Sequence, residues 1–393
     1  MFSSLGEAST DSILALMRAY REDPRAEKID LGVGVYRDAA GTTPIMAAVK
    51  EAERHLVETQ ETKSYVGLSG DETFNAAMAR LVLGDAVADE RVSAVQTPGG
   101  SGALRLLSEL AATAGDRPIL WVSAPTWPNH MAVGARAGLV CRSYRYFDPE
   151  THMPDTDAML ADLSEARRGD VVLVHGCCHN PTGADLDAAQ WDRLTALVVE
   201  RGLVPLVDIA YLGFGEGLEA DAAGLRRMAA GVPEMLVSVS CSKNFGLYRD
   251  RTGVALVISP PHQRGAVQAT LETLVRTNWS MPPDHGAAVV RTILADEALV
   301  EMWHDELATM RERIVALRTG LAEAMATHTG SDHYSFLKQH RGMFSLLPAS
   351  AAQVEALRKD HAIYVTGDGR ANLAGLLEDR LDRIAEAFTT VGM

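Results

Sequence analysis

The sequence predicts an α/β fold, a mostly parallel sheet of buried strands covered by helices, with a second, smaller α+β domain. Two observations carry this. Short apolar runs bounded by turn residues recur between helical stretches, and after residue 327 the texture changes to shorter, mixed segments. The runs ILWV (119–122), VVLVH (171–175), LVPLV (203–207), LVSV (236–239) and VALVI (254–258) are the right length for strands buried on both faces. Between 299 and 327, Trp303, Leu307, Met310, Ile314, Leu317 and Leu321 follow one another at alternating steps of four and three, the spacing of one helix face. Beyond it, FSLLPAS, AIYVTG and RANLAG read as short strands and 382–391 as a last helix. The expected division is a large domain over 45–305 and a small one built from 1–44 and 306–393.

Composition narrows the function. The chain has 393 residues, more than one hydrophobic core usually organises, and its 47% hydrophobic and 23% charged residues are ordinary for a globular protein. The 37 Lys and Arg against 52 Asp and Glu leave a net charge of −15, which repels phosphate backbones and anionic lipid. Nucleic acid and membrane surfaces are therefore not expected partners. Four cysteines (Cys141, Cys177, Cys178, Cys241) are too few for a disulfide framework in a chain of this length and suit a reducing, cytoplasmic setting. The opening MFSSLGEASTDSILALM has no basic residue before Arg18 and no apolar segment with a small-residue cleavage site, so no export signal is expected. No 18-residue apolar run suggests a membrane span.

The chemistry gathers where the strands end, the edge at which open α/β sheets bind their ligands. The run 171–175 leads into CCHNPTG with Asn180; 203–207 is followed by Asp208 and Tyr211; 236–239 is followed by Ser240 and Lys243. A lysine in a partly desolvated pocket at such an edge is suited to forming a Schiff base, although the same residue also reads as a surface lysine in a loop. Asp208 is placed either to keep a pyridine nitrogen protonated or to cap a helix. TPGGSGALRLLSEL (97–110) is a glycine-rich turn opening an amphipathic helix, where the amides of Gly100, Ser101, Gly102 and Ala103 would make a phosphate cradle or serve the turn alone. Arg251 and Ser240 could complete that cradle. Lysine for an aldehyde, aspartate for a ring nitrogen and a helix end with arginine for a phosphate together describe a pyridoxal phosphate site. LGVGVYRDAAG lacks the third glycine of a dinucleotide fingerprint, and no GxSxG elbow is present. Cys177, Cys178 and His179 are adjacent rather than spaced like zinc ligands, and no metal site is expected.

KSYVG (63–67), TPGGSGALR, APTWPNH, HGCCHNPTG, DIAYLGF, SCSKNFGLYRDR, RTNWSMPPDHGA and GRANLAG, in this order, resemble the class I aspartate and aromatic amino acid aminotransferases from about residue 10 to the C-terminus. The resemblance implies a fold type I pyridoxal phosphate enzyme with a seven-stranded sheet, a homodimer whose active sites are completed across the interface. It implies that Lys243 is the Schiff-base lysine and the base that moves the substrate's α-proton. Asp208 would hold the ring nitrogen with help from His130 and His175, Tyr211 and Asn180 would bond the phenolic oxygen, and Trp127 would stack on the ring. Ser101, Gly102, Ala103, Ser240 and Arg251 would take the phosphate, with Tyr65 reaching it from the partner subunit. Arg370 matches the arginine that grips the α-carboxylate, with the backbone at Gly34 beside it, and Arg276 matches the one that crosses from the other subunit to a distal carboxylate.

Specificity is less sharply written. Ser64, Met281 and Ser101 stand where aspartate-specific relatives carry Asn, Asn and Thr, which loosens the polar surroundings of the distal arginine and suits an aromatic ring. Arg276, Val35 and Thr43 suit a dicarboxylate. The expected activity is transfer of the amino group of aromatic and dicarboxylic amino acids to 2-oxoglutarate in ping-pong fashion, the alternative being an aspartate aminotransferase. A decarboxylase or racemase on the same fold and a pyridoxal-binding regulator are the other classes considered. The regulator needs an attached DNA-binding segment, for which this acidic chain has no spare length.

Overall fold

The computed structural model describes residue 2 and residues 12–393. The opening residues read above for an export signal therefore lie largely outside the described part. Within it the chain forms two compact units. One comprises Pro44–Asn180 and Ala184–Glu312; the other comprises the described residues of Met1–Thr43 with Pro181–Gly183 and Arg313–Met393.

The larger unit is built on a seven-stranded sheet whose strands are numbered here along the chain: β1 (Val92–Pro98), β2 (Ile119–Ala124), β3 (Val140–Arg145), β4 (Val171–His175), β5 (Val204–Ile209), β6 (Met235–Ser240) and β7 (Thr252–Ile258). Their spatial order is β1-β7-β6-β5-β4-β2-β3. Only β7 runs against its neighbours; the others are parallel. Every residue of β4, β6 and β7 is buried, which is why those strands read as continuous apolar runs. Helix α1 (Gly99–Ala114) lays Ala103, Leu104, Leu107 and Leu110 into one core with Val95, Leu120, Val122, Leu173 and Leu206 of the sheet.

The strand β1 lies at an edge of the sheet, and its outward backbone groups are taken by side chains and loops. Gln268, on helix α2 (Arg264–Asn278), accepts from the Ala94 amide and donates to the Ala94 carbonyl at 3.3 and 3.4 Å. Arg264 Nε donates to the Val92 carbonyl at 2.8 Å, and the Gln96 amide donates to the Ser69 carbonyl at 2.9 Å.

The long helix α3 (Glu297–Thr329) turns Trp303, Leu307, Met310, Ile314, Leu317 and Leu321 inward, the face its spacing predicts. Its last turns belong to the smaller unit, where Leu317, Leu321 and Met325 pack with Leu31, Tyr334, Leu357, Ile363, Leu373, Ile384 and Phe388. Two short strand pairs frame that core: Ile29–Asp30 runs parallel to Ile363–Tyr364, and Phe344–Leu346 runs antiparallel to Arg370–Asn372. The final helix spans Leu381–Thr390.

Arg318 of α3 is 98% buried and is clasped by backbone oxygens: its guanidinium donates to the carbonyls of Gly342 (2.7 Å) and Phe344 (2.5 Å) and to the Ser345 hydroxyl (2.7 Å). A buried guanidinium is tolerated only when its donors are met, and here they also fix the strand carrying Phe344. Arg318→Met strips several buried acceptors of their donor. It should lower stability by about 2–4 kcal/mol, read as a fall in the urea midpoint at unchanged slope.

Candidate active site

Parallel pairing sets three polar residues in one row. His175 of β4 lies opposite Asp208 of β5, and Asp208 lies opposite Ser238 of β6. Asp208 is 94% buried, and its Oδ2 accepts from His130 Nε2 at 3.2 Å. The Thr126 hydroxyl lies 2.8 Å from the other nitrogen of that ring. The second Asp208 oxygen, Oδ1, is buried and makes no hydrogen bond. Burial raises the Asp208 carboxyl, but the hydrogen bond and charge of His130, with His175 and Ser238 behind them, outweigh it and hold the group below its ordinary value. It is a carboxylate at neutral pH.

Behind Asp208 the aromatic rings form a column. The His175 ring centroid is 5.0 Å from that of His130 and 4.1 Å from that of His179, which stacks on Tyr146 at 4.1 Å and lies 3.0 Å from the Ser123 hydroxyl. Neither nitrogen of His175 makes a hydrogen bond. Burial, reinforced by His130 and only partly opposed by Asp208, lowers its pKa to about 3, so the ring is neutral.

Beyond the end of β6, Lys243 Nζ lies 4.7 Å from the centroid of the Tyr211 ring. The Tyr211 hydroxyl accepts from Asn180 Nδ2 at 3.4 Å. The three residues come from three different loops at one edge of the sheet, so the convergence read from the strand ends is present in space.

The phosphate cradle needs one correction. The helix α1 begins at Gly99, directly after Pro98, which has no amide hydrogen. The amides left without a helical acceptor are therefore those of Gly99, Gly100 and Ser101. Gly102 and Ala103, expected among them, lie far enough into the helix for their amides to meet the Pro98 and Gly99 carbonyls. The doubled glycine in PGG carried the signal. Gly99 has φ +73°, and a Cβ there would stand 2.6 Å from the Arg251 guanidinium; a Cβ on Gly100 would stand 3.0 Å from Cβ of Ser240. Ser240 is buried and its hydroxyl accepts from the Ser242 amide at 3.2 Å, while Arg251 Nη1 donates to the Ser242 hydroxyl at 3.3 Å. A helix end, an arginine and two hydroxyls thus meet at a surface that only glycines leave open.

The model of class I and II aminotransferases matches residues 26–388. A tyrosine aminotransferase of Rhizobium meliloti is 49% identical over the whole of both chains, and an aspartate aminotransferase of Escherichia coli is 42% identical over the whole of both. The crystal structure of an aromatic-amino-acid aminotransferase from Burkholderia pseudomallei covalently bound to pyridoxal phosphate is 39% identical and superposes with a TM-score of 0.97 over all of this chain and 99% of that one. The chain belongs to the class I and II aminotransferases. Its fold is that of the fold type I pyridoxal phosphate enzymes.

The family implies pyridoxal phosphate, and the residues of this aminotransferase fit it. The buried, unbonded Asp208 Oδ1 suits a protonated ring nitrogen, the glycine-lined helix end with Arg251 suits a phosphate, and Lys243 suits an aldehyde. Trp127 is half-buried with its ring edge-on to His130 at 5.3 Å. Tyr65 is 89% exposed. Arg276, also exposed, donates from Nη1 to the Ser280 hydroxyl at 2.7 Å, a partner the sequence reading passed over because Ser280 lies beyond the helix carrying Arg276. In the smaller unit Arg370 is 96% buried, and its Nη2 donates to the Gly32 carbonyl at 3.0 Å.

Cys177, Cys178 and Asp221 bring their ligand atoms within 4.8 Å of one another. The Asp221 carboxylate is already engaged by the amides of Gly213, Gly215 and Glu216, closing the turn after Tyr211. The hydrogen bond from Cys178 lowers the Cys177 thiol, but burial and the charges of Asp221, Asp185 and Asp208 prevail and push it up to about 11.

A buried histidine with a lowered pKa makes folding depend on pH. Unfolded, His175 takes up its proton near pH 6.5; folded, it resists down to about pH 3, so its stabilisation is complete above 6.5 and is lost as pH falls through that window. His175→Leu should flatten the decline of unfolding free energy between pH 6.5 and 4.5 by up to about 1.4 kcal/mol per pH unit, measured by urea titration at several pH values.

Proposed function

We propose that this aminotransferase moves the amino group of aromatic (tyrosine and phenylalanine) and dicarboxylic amino acids to 2-oxoglutarate in a ping-pong cycle, as a cytoplasmic homodimer with shared active sites. The observation that carries the specificity is the setting of Arg276: an exposed guanidinium held by the small Ser280 hydroxyl and followed by Met281, whose thioether brings no amide to fix it.

When bound, pyridoxal phosphate supplies an electron sink for the pair left at the substrate's α-carbon. Lys243 would hold it by its aldehyde and, once displaced by the substrate, take the α-proton on Nζ. Asp208, kept ionised by His130, would keep a proton on the ring nitrogen, and the neutral His175 would add no competing charge behind it. Tyr211 and Asn180 would hold the phenolic oxygen, Trp127 would cover the ring, and Ser101, Ser240 and Arg251 would hold the phosphate with the amides of Gly99 and Gly100. Arg370, beside Gly34, would take the α-carboxylate in a two-point grip. The exposure of Tyr65 and Arg276 supports their serving the partner subunit's site, and sedimentation as a monomer would remove both roles.

The second reading, an aspartate aminotransferase, is favoured by Arg276 itself with Val35 and Thr43. Comparison of kcat/KM for aspartate, tyrosine and phenylalanine decides: aromatic substrates should match or exceed aspartate, whereas an aspartate lead beyond about a hundredfold, or ~2.7 kcal/mol, would select the second reading. Arg276→Ala should cost aspartate and glutamate about 2–5 kcal/mol more than it costs phenylalanine, and equal losses would make Arg276 structural. Lys243→Ala should reduce turnover to background; retained transamination would overturn the assignment of the base.

A further inference from the structure

We propose that Phe344 is a positioning residue for Arg370, its ring forming the platform that holds the guanidinium plane in the orientation a carboxylate needs. This rests on Arg370 being the grip for the substrate's α-carboxylate. The register of the small unit's antiparallel pair sets it up: Phe344 lies opposite Asn372 and Leu346 opposite Arg370, so Phe344, Arg370 and Asn372 share one face of the pair. On that face the Arg370 guanidinium carbon lies 4.6 Å from the centroid of the Phe344 ring. Both side chains are at least 96% buried.

The surroundings leave the ring little room to turn away. A Cβ on Gly34 would stand 2.8 Å from the Phe344 ring tip, so glycine at 34 is what lets the ring occupy this place. The Gly34 segment is itself pinned to the same face: Asn372 Nδ2 donates to the carbonyls of Val33 and Val35 at 2.6 and 2.7 Å, and Asp30 Oδ1 accepts from the Gly32 amide at 3.0 Å. Behind the ring, Arg318 holds the Phe344 carbonyl.

Stacking suits this task better than another hydrogen bond would. A guanidinium resting on an aromatic face uses none of its five N–H donors for that contact, so they remain directed in the plane while the ring fixes the plane's tilt and keeps water from one side. Nη2 is anchored on the Gly32 carbonyl, which fixes the remaining rotation within that plane. A two-point carboxylate grip requires both constraints.

The test uses the holoenzyme and an unreactive carboxylate, 3-phenylpropionate, titrated by its effect on the cofactor spectrum. Phe344→Leu and Phe344→Met, which remove the ring but keep an apolar side chain, should weaken 3-phenylpropionate and raise KM for tyrosine and 2-oxoglutarate alike by about three- to thirtyfold, with a smaller effect on kcat. The resting cofactor spectrum should be unchanged, because the ring touches Arg370 and not the cofactor's own holders. Arg370→Lys is the control for the underlying reading. If Arg370→Lys loses the probe while both ring-less Phe344 variants bind it like the parent, the positioning role is overturned. If Arg370→Lys also binds normally, the carboxylate grip itself fails and the proposal with it.

Discussion

The pairing of β4, β5 and β6 is the constraint on which the chemistry of this aminotransferase depends. Because the three strands run parallel, residues at one level stand side by side, and the level that matters holds His175, Asp208 and Ser238. A slip of one residue in any of these strands would turn its polar side chain to the opposite face of the sheet. The apolar residues that fill the rest of β4 and β6 therefore do more than bury area. By fixing the register they fix which groups face the carboxylate of Asp208.

That carboxylate is kept charged in a place where charge is expensive. Burial alone would favour its protonated form, and the balance is reversed by a hydrogen bond from His130 on a separate helix. The neighbouring His175 responds to burial in the opposite sense and stays neutral. One carboxylate held ionised beside one imidazole held neutral gives the site a local charge that neutral solution does not change.

Much of this was legible in the sequence, and the gaps have physical causes. The five strands read from apolar runs are the five interior strands, whereas β1 (VSAVQTP) and β3 (VCRSYR) do not stand out, because each is an edge strand carrying Ser, Gln, Thr, Cys, Arg or Tyr where an interior strand would carry Val or Leu. The sequence sets the cradle amides at Gly100 to Ala103, one residue beyond the first, because glycine signals a turn, although Gly99 begins the helix. Lys243, Asp208, Tyr211 and Asn180 announced themselves by their places after strands. Phe344 and Ser280 did not. Each matters through one partner, Arg370 or Arg276, which no apolar period or strand end links to it, and contacts of that kind are visible only once the chain is folded.

The Gln268 amide on β1 has a consequence for how the protein behaves in a crowd. A primary amide presents an N–H donor and a carbonyl acceptor at nearly the spacing of a peptide unit, so a single helical side chain occupies the row at Ala94 that an eighth strand would otherwise claim. With the rows at Val92 and Gln96 covered as well, this margin of the sheet offers no template for an incoming strand from another molecule. That edge is thereby guarded against edge-to-edge pairing by the same helix that carries Arg276 at its far end.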